Sequence, residues 1–295
     1  MLAPDSLFSV CISAWLDTIR VRCSPRTVEN LTSMVRPWLA AWGERPLRDV
    51  TLETLRAYMA GRRAAGNHGQ GLKAVTVNGE QTHLRWFFGW LVKEDVLPSS
   101  PARRLERLRA PRPVPRTFSE PEYHRLLAAA GGATKALVEV AAETGLRRRA
   151  LLGLEWSHVD LRTGILSLPG ALLKSGAPFV SPLSPRALAV LQALHNSSGS
   201  QRRGVFPIGR TTLHREFHRA LGKAGLQAGK FHWLRKYFLT QCRRRGVPLE
   251  VAMRLSDHHD IKVVLECYRA IDDADLLKAV GRELPPNEEM ETETA

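Results

Sequence analysis

The sequence predicts a mainly α-helical protein with a small antiparallel β-sheet, divided into two domains. Three observations carry that prediction. Apolar residues recur at helical spacing through residues 6–97 and again after Thr211. Between these regions, "ILSLPGALLK" and "APFVSPL" alternate or run apolar around short turns, the pattern of a small antiparallel sheet. Finally, "PARRLERLRAPRPVPRTF" (101–118) holds six Arg, one Glu and four Pro, which ends helical periodicity and marks a boundary.

The elements follow in order. Leu7, Cys11, Ala14, Trp15 and Ile19 share the face of a first helix. Ser24 is placed to cap a second, with Pro25 at its first position, and Pro37 marks a kink before Trp42. Thr51 caps a third helix carrying Leu52, Leu55, Tyr58 and Met59. A fourth, from about Thr76, turns Val77, Leu84, Phe87, Phe88 and Leu91 one way, after a break at Gly66–Gly71. These four make a small all-helical domain, residues 1–110. The basic, proline-rich segment, with its linker at 111–117, is expected to stay extended as a strap across a polyanionic partner. The second domain, 118–280, opens on the capping box Ser119–Glu122. A longer helix spans about Thr134–Thr144, the sheet follows, and Ser184-Pro185 starts another helix. Residues 281–295 are acidic and expected to form a disordered tail, and the sequence shows no internal repeat.

Charge narrows the function. The chain of 295 residues carries 43 Lys and Arg against 29 acids, a net charge of +14. Five Glu and one Arg lie from Gly281 on, so residues 1–280 carry +18. Such an excess favours a polyanion, most often nucleic acid. Only 9 of the 43 are Lys, however, and an Arg- and Ala-rich chain also follows from GC-rich coding DNA. No apolar run approaches the ~20 residues of a membrane span, and "MLAPDSLFSV" lacks the basic start of a signal peptide. Cys11, Cys23, Cys242 and Cys267 form no CxxC pair, as expected of reduced thiols in a cytoplasmic protein.

Three separated stretches carry candidate chemistry: "ETGLRRRALLGLEW" (143–156), "FHWLRKYF" (231–238) and "LSDHHDIKVVLECYRA" (255–270). Each residue alone has an ordinary reading. Arg147 lies in a run of three arginines, a common solvated face; His232 suits a satisfied histidine; Tyr268 on an apolar helix suits packing. Their order and spacing together resemble the tyrosine recombinase, or phage integrase, family. Thr144-Gly145-Leu146-Arg147 matches that family's T-G-x-R box, and His232-Trp233-Leu234-Arg235-Lys236 its H-x-x-R-H/K box. His258 precedes Tyr268 by ten residues and His259 by nine, and the family uses both spacings. Aligning G-H-S-D-I on Asp257-His258-His259-Asp260-Ile261 selects His258. The stretch "LLKSGAPFVSPLSP" resembles the family's β-hairpin and places Lys174 on it. "LRWFFGWLVKEDVLPSSPARRL" resembles the last helix of the family's core-binding domain.

The resemblance implies a recombinase-type fold, with a helical core-binding domain and an α+β catalytic domain. It implies DNA cleavage through a 3′-phosphotyrosyl intermediate, with no cofactor, metal or ATP. Arg147 and Arg235 would hold the phosphate, His232 would assist as base or orient it, and His258 would hydrogen-bond it. Lys174 would be the general acid and Tyr268 the nucleophile. The partner would be double-stranded DNA, gripped by a homotetramer on two sites through a Holliday junction, with a second recombinase or accessory protein as a further partner. The chain is expected to open on the helical domain without an added arm-site domain, which points to a Xer-like or simple mobile-element recombinase. Residues 271–281 would form a helix docking on a neighbouring protomer. Two departures stand out: Ala150 where the family has an acid, and Asp257 where it has glycine before the motif histidine. They suggest one rival, a non-catalytic DNA-binding regulator; the nearest rival is a type IB topoisomerase-like nickase, which uses the same nucleophile. A zinc reading of His214 and His218 in "HREFH" is weaker, because Arg215 stands where a metalloprotease needs Glu. Cys267 beside Tyr268 is better read as packing than as a thiol nucleophile.

Overall fold

The computed structural model describes residues 1–64, 71–111, 116–198 and 202–268. The chain divides into two compact units, Met1–Pro113 and Val114–Ala295. The expected helix at 271–281 and the acidic tail lie outside the described residues.

The first unit contains α1 (Phe8–Arg22), α2 (Pro25–Trp42), α3 (Leu52–Ala64) and α4 (Ala74–Lys93). The Ser24 side chain accepts from Thr27 N at 3.3 Å and Pro25 takes the first turn, so α2 starts where its orphan donors are already satisfied. Pro37 lies inside α2 without interrupting it. The apolar stripes meet in a core of Phe8, Trp15, Trp38, Phe87 and Phe88, with Phe8 and Phe87 edge to face at 5.3 Å. Within this apolar setting Glu80 is buried, and its carboxylate accepts from Trp38 Nε1 (3.0 Å), Tyr58 Oη (2.7 Å) and Arg62 Nε (3.0 Å). Burial and then Glu80 push the Tyr58 hydroxyl pKa upward.

The basic segment, expected to stay extended, turns at its start. Pro101–Arg104 turns as a 3-10 helix that buries Ala102, and Leu105 follows it into the core. Beyond it the backbone is pinned to α4. Asn78 Nδ2 donates to Leu108 O at 2.8 Å, Leu108 N donates to Asn78 Oδ1 at 2.8 Å, and Gln81 Nε2 donates to Glu106 O at 3.0 Å. Proline excluded regular helix, but side chains of α4 satisfied the exposed backbone polar groups instead of water.

The second unit begins with α5 (Glu120–Ala129), opened by the Ser119–Glu122 capping box, and α6 (Gly132–Thr144). α7 (Arg148–Leu152) follows, then β1 (Val159–Asp160), β2 (Ile165–Leu168) and β3 (Phe179–Pro182). The strands pair antiparallel in the order β1-β2-β3, with Leu166 opposite Ser181 and Leu168 opposite Phe179. Leu166 and Leu168 point into the core while Ser167 between them faces out, the period of two that the sequence shows. The two-residue β1 is an addition too short to leave a pattern. α8 (Pro185–Ser198), α9 (Arg210–Lys223), α10 (His232–Arg244), α11 (Leu249–Leu255) and α12 (Ile261–Tyr268) complete the described chain. α6 supplies the centre of the core, through buried Leu137, Val138, Val140 and Ala141. Its contacts with α8 and α10 set the position of everything below. Among the described residues no helix is long and apolar enough to cross a membrane.

Candidate active site

The site starts from the end of α6. Thr144 Oγ1 donates to Val140 O at 2.7 Å, and Gly145 then reverses the chain at φ +63°. Glycine is needed for space as well as conformation: a Cβ there would lie 2.5 Å from Phe238 Cδ1 and 3.1 Å from Ser256 Cβ. The sharp turn delivers Arg147 as the N-cap residue of α7. Its Nη1 donates to Asp257 O at 2.9 Å and to Asp257 Oδ2 at 2.5 Å, and its side chain remains 30% exposed.

Arg235, one turn into α10, is buried at 2% exposure. Its Nη1 donates to Gly145 O (2.7 Å) and to Ser256 O, its Nη2 to Asp257 O (3.1 Å), and its Nε to His258 Nε2 (3.0 Å). Backbone carbonyls converging from the α6 turn and the α11 turn thus offset the cost of burying the guanidinium. Burial and then repulsion by Arg147 push its pKa down to about 9, with Asp257 opposing them, so it stays cationic at neutral pH.

His258 is fixed in one tautomer. Ser256 Oγ spends its proton on Ala252 O at 2.6 Å, so the 2.7 Å contact with His258 Nδ1 requires Nδ1 to donate. Nε2 is then the acceptor for Arg235. Burial, followed by the charges of Arg235 and Arg147, pushes the His258 pKa down to about 3, keeping the ring neutral. His232 begins α10 and shares a face with Arg235. It keeps an exposed edge, yet desolvation of the ring and then Arg235, Lys236 and Arg147 lower its pKa. Beside these residues opens a cavity of ≈ 510 Å³ lined by Arg148, His214, His218, Lys230, His232 and Arg235, among others.

The structure therefore brings four of the six sequence-predicted residues together: Arg147, His232, Arg235 and His258. Lys174 lies exposed in the β2–β3 connection. Its neighbour Ser175 reaches Asp257 Oδ1 with its hydroxyl at 3.5 Å, which brings the hairpin to the edge of the cluster. Tyr268 ends α12, and its hydroxyl donates to Val247 O at 3.0 Å beside Cys242, Leu249 and Met253. Its pKa is pushed up to about 12 by burial and then by Cys242. None of the four clustered residues bonds its hydroxyl among the described residues. Sequence reasoning missed Ser256, which no motif spacing marks. It took Asp257 only as a departure, whereas that residue's backbone and carboxylate grip Arg147. His214 and His218 meet edge to face at 4.4 Å on α9, and Cys267 is buried in the small core around α12.

Comparison with known proteins gives consistent results. The phage integrase family model matches residues 116–275. The tyrosine recombinase XerC of Xanthomonas campestris pv. campestris (strain B100) is 27% identical over 254 residues, spanning 82% of this chain and 76% of that protein. XerC of Erythrobacter litoralis is 30% identical over 237 residues, 75% of this chain and 76% of the relative. Among solved structures, a lambda integrase tetramer bound to a Holliday junction superposes with a TM-score of 0.74 at 20% identity. It covers 91% of this chain and 79% of that one.

Proposed function

Since the chain belongs to the phage integrase family, and is a Xer-like, site-specific tyrosine recombinase, we propose that it cuts and rejoins DNA through Tyr268 without metal or ATP. The observation that carries this reading is the paired guanidiniums of Arg147 and Arg235, anchored to one turn beside a neutral His258. Cleaving a phosphodiester places extra negative charge on the non-bridging oxygens; Arg147 offers it an open planar edge, and Arg235 adds a second fixed positive charge with one Nη2 hydrogen to spare.

The Tyr268 oxygen attacks phosphorus, the bond to the 5′ oxygen breaks, and a 3′-phosphotyrosyl link forms. The phenolic proton leaves as the bond forms, and His232 takes it or orients the phosphate. Lys174 protonates the departing 5′ oxygen, and His258 must release Arg235 and carry its proton on Nε2 to hydrogen-bond the scissile phosphate. The ester retains the energy of the original bond, so attack by a 5′ hydroxyl of a second duplex reverses the sequence without ATP. With its hydroxyl on Val247 O, Tyr268 must release that hydrogen bond before it attacks. The partner is double-stranded DNA, and two dimers on two sites exchange strands as a homotetramer through a Holliday junction.

The test is covalent trapping. The protein is incubated with sheared DNA of its source in EDTA, denatured with SDS, and the attached DNA is sequenced. Adducts that persist in EDTA and vanish in Tyr268→Phe are expected. No adduct despite tight DNA binding would favour a binding regulator, and relaxation of supercoiled plasmid lacking the recovered site would favour a topoisomerase-like nickase.

A further inference from the structure

Asp257 has an uncommon backbone, φ +52°, in the region that L side chains rarely adopt and that glycine enters freely. Aspartate tolerates it better than most residues, but at a cost. Its side chain is 4% exposed, and both carboxylate oxygens are engaged. Oδ2 accepts from Arg147 Nη1 at 2.5 Å; Oδ1 accepts from His259 Nε2 at 2.9 Å and faces Ser175 Oγ at 3.5 Å. Three chain segments therefore meet on one carboxylate: the turn before α7, the β2–β3 connection one residue from Lys174, and the turn after α11. A buried carboxylate kept at a strained backbone position, where glycine would relax the strain, points to a role for the carboxylate itself.

Two arrangements are conceivable, and the geometry separates them. A carboxylate occupying the place of a phosphate would stand on the solvent side of the arginine. Asp257 is the more buried partner, while the Arg147 side chain is 30% exposed. Asp257 takes only Nη1, so the Nε–Nη2 edge of Arg147 carries no hydrogen bond among the described residues. That edge is the one suited to two oxygens of a phosphate. We infer that Asp257 is a positioning residue: its carboxylate anchors Arg147 from behind, aims the Nε–Nη2 edge at the scissile phosphate, and ties the Lys174 hairpin to the same point. The inference rests on Arg147 being the phosphate-binding arginine proposed above.

The test compares wild type with Asp257→Asn and Asp257→Gly. Asparagine keeps an acceptor for Arg147 and tolerates positive φ; glycine removes the carboxylate and relaxes the backbone, so both variants are expected to fold. In single-turnover adduct formation the expected order is Asp, then Asn, then Gly, with Asp257→Gly slower by about 100-fold, the scale of a misplaced catalytic group. DNA affinity, spread over many phosphates, should stay within about twofold. A role confined to the backbone predicts the reverse order, with glycine at least as fast as wild type, and that result overturns the inference. A second reading needs no turnover. Nitrogen NMR of the Arg147 side chain, identified by its loss in Arg147→Lys, should show slow rotation of the guanidinium in wild type and averaging in Asp257→Gly. Unchanged rotation overturns the inference whatever the activity. If wild type forms no adduct on any DNA, the phosphotyrosyl reading falls, while the NMR comparison still decides whether Asp257 fixes Arg147.

Discussion

Among the described residues each unit buries one carboxylate beside an arginine, and the two centres end differently. In the first, Glu80 accepts from Trp38, Tyr58 and Arg62, and the Arg62 side chain is itself only 12% exposed. In the second, Asp257 holds one nitrogen of Arg147 and leaves the other edge of a 30% exposed guanidinium without a partner among the described residues. The first centre satisfies itself, as a core polar group must to offset its desolvation. The second satisfies its acid but not its base. A protein tolerates an open, partly buried cationic edge where an anion is to be bound, and Arg235 a short distance away adds a second charge that repels the first. Self-closure thus separates a structural polar centre from a binding one more sharply than burial or charge does.

The largest effect that would break this comparison lies in the closed centre. Glu80→Ala leaves Trp38 Nε1 buried without its acceptor and takes the carboxylate from Arg62, and should destabilise the first unit by about 3–5 kcal/mol. Urea unfolding followed by tryptophan fluorescence measures it; a loss below about 1 kcal/mol, the size of an ordinary hydrogen bond, would mean that the network is not what holds these helices. Arg147→Ala should do the opposite. Removing Arg147 takes one partner from the buried Asp257 carboxylate, whose other oxygen keeps His259, so stability should fall by less than in Glu80→Ala while covalent-adduct formation falls about 10²–10³-fold. Loss of fold without specific loss of cleavage would make Arg147 a structural arginine like Arg62.

A smaller effect sharpens the same contrast through pH. His258 is held near pKa 3 in the folded chain, against about 6.5 for a free imidazole. Between those values the unfolded chain binds a proton that the folded chain does not, so stability rises with pH across that window. The contribution is complete above about pH 6.5 and is lost as pH falls toward 3. His258→Asn should flatten the dependence: measured at pH 7 and pH 5, wild type should lose more unfolding free energy than the variant. Equal slopes would show that burial of the ring and repulsion by Arg235 do not hold His258 neutral.

Much of this was legible in the sequence, for identifiable reasons. Ser24-Pro25 and Ser119–Glu122 fix their helix starts through local hydrogen bonds, so a few residues of pattern sufficed. His232 and Arg235 share a face because helical spacing alone puts them there. The tether of residues 101–108 to α4 was not legible, since Asn78 and Gln81 read as ordinary polar positions on a helix face. The same limit hid the Asp257 contact. Asp257 and Arg147 are 110 residues apart, and the left-handed turn that aims one at the other is a property of the folded backbone. Conversely, spacing to His258 located Tyr268 but could not tell that its hydroxyl rests on Val247 O.

The smallest change tests whether the closed centre is redundant as well as closed. Tyr58 Oη donates to Glu80 Oε1 at 2.7 Å, but Trp38 Nε1 donates to the same oxygen and Arg62 Nε to the other. Tyr58→Phe removes one donor and strands none of the rest. The acid keeps an acceptor role on both oxygens, and the ring keeps its contact with Trp42 at 4.6 Å. The expected loss is that of a single hydrogen bond, about 1 kcal/mol, with adduct formation at the wild-type rate. A loss matching that of Glu80→Ala would mean that the three donors act as one unit, each indispensable. Closure of the network would then be a condition for the first unit to fold at all, and the open edge of Arg147 would mark the second unit as the one that can spare a donor.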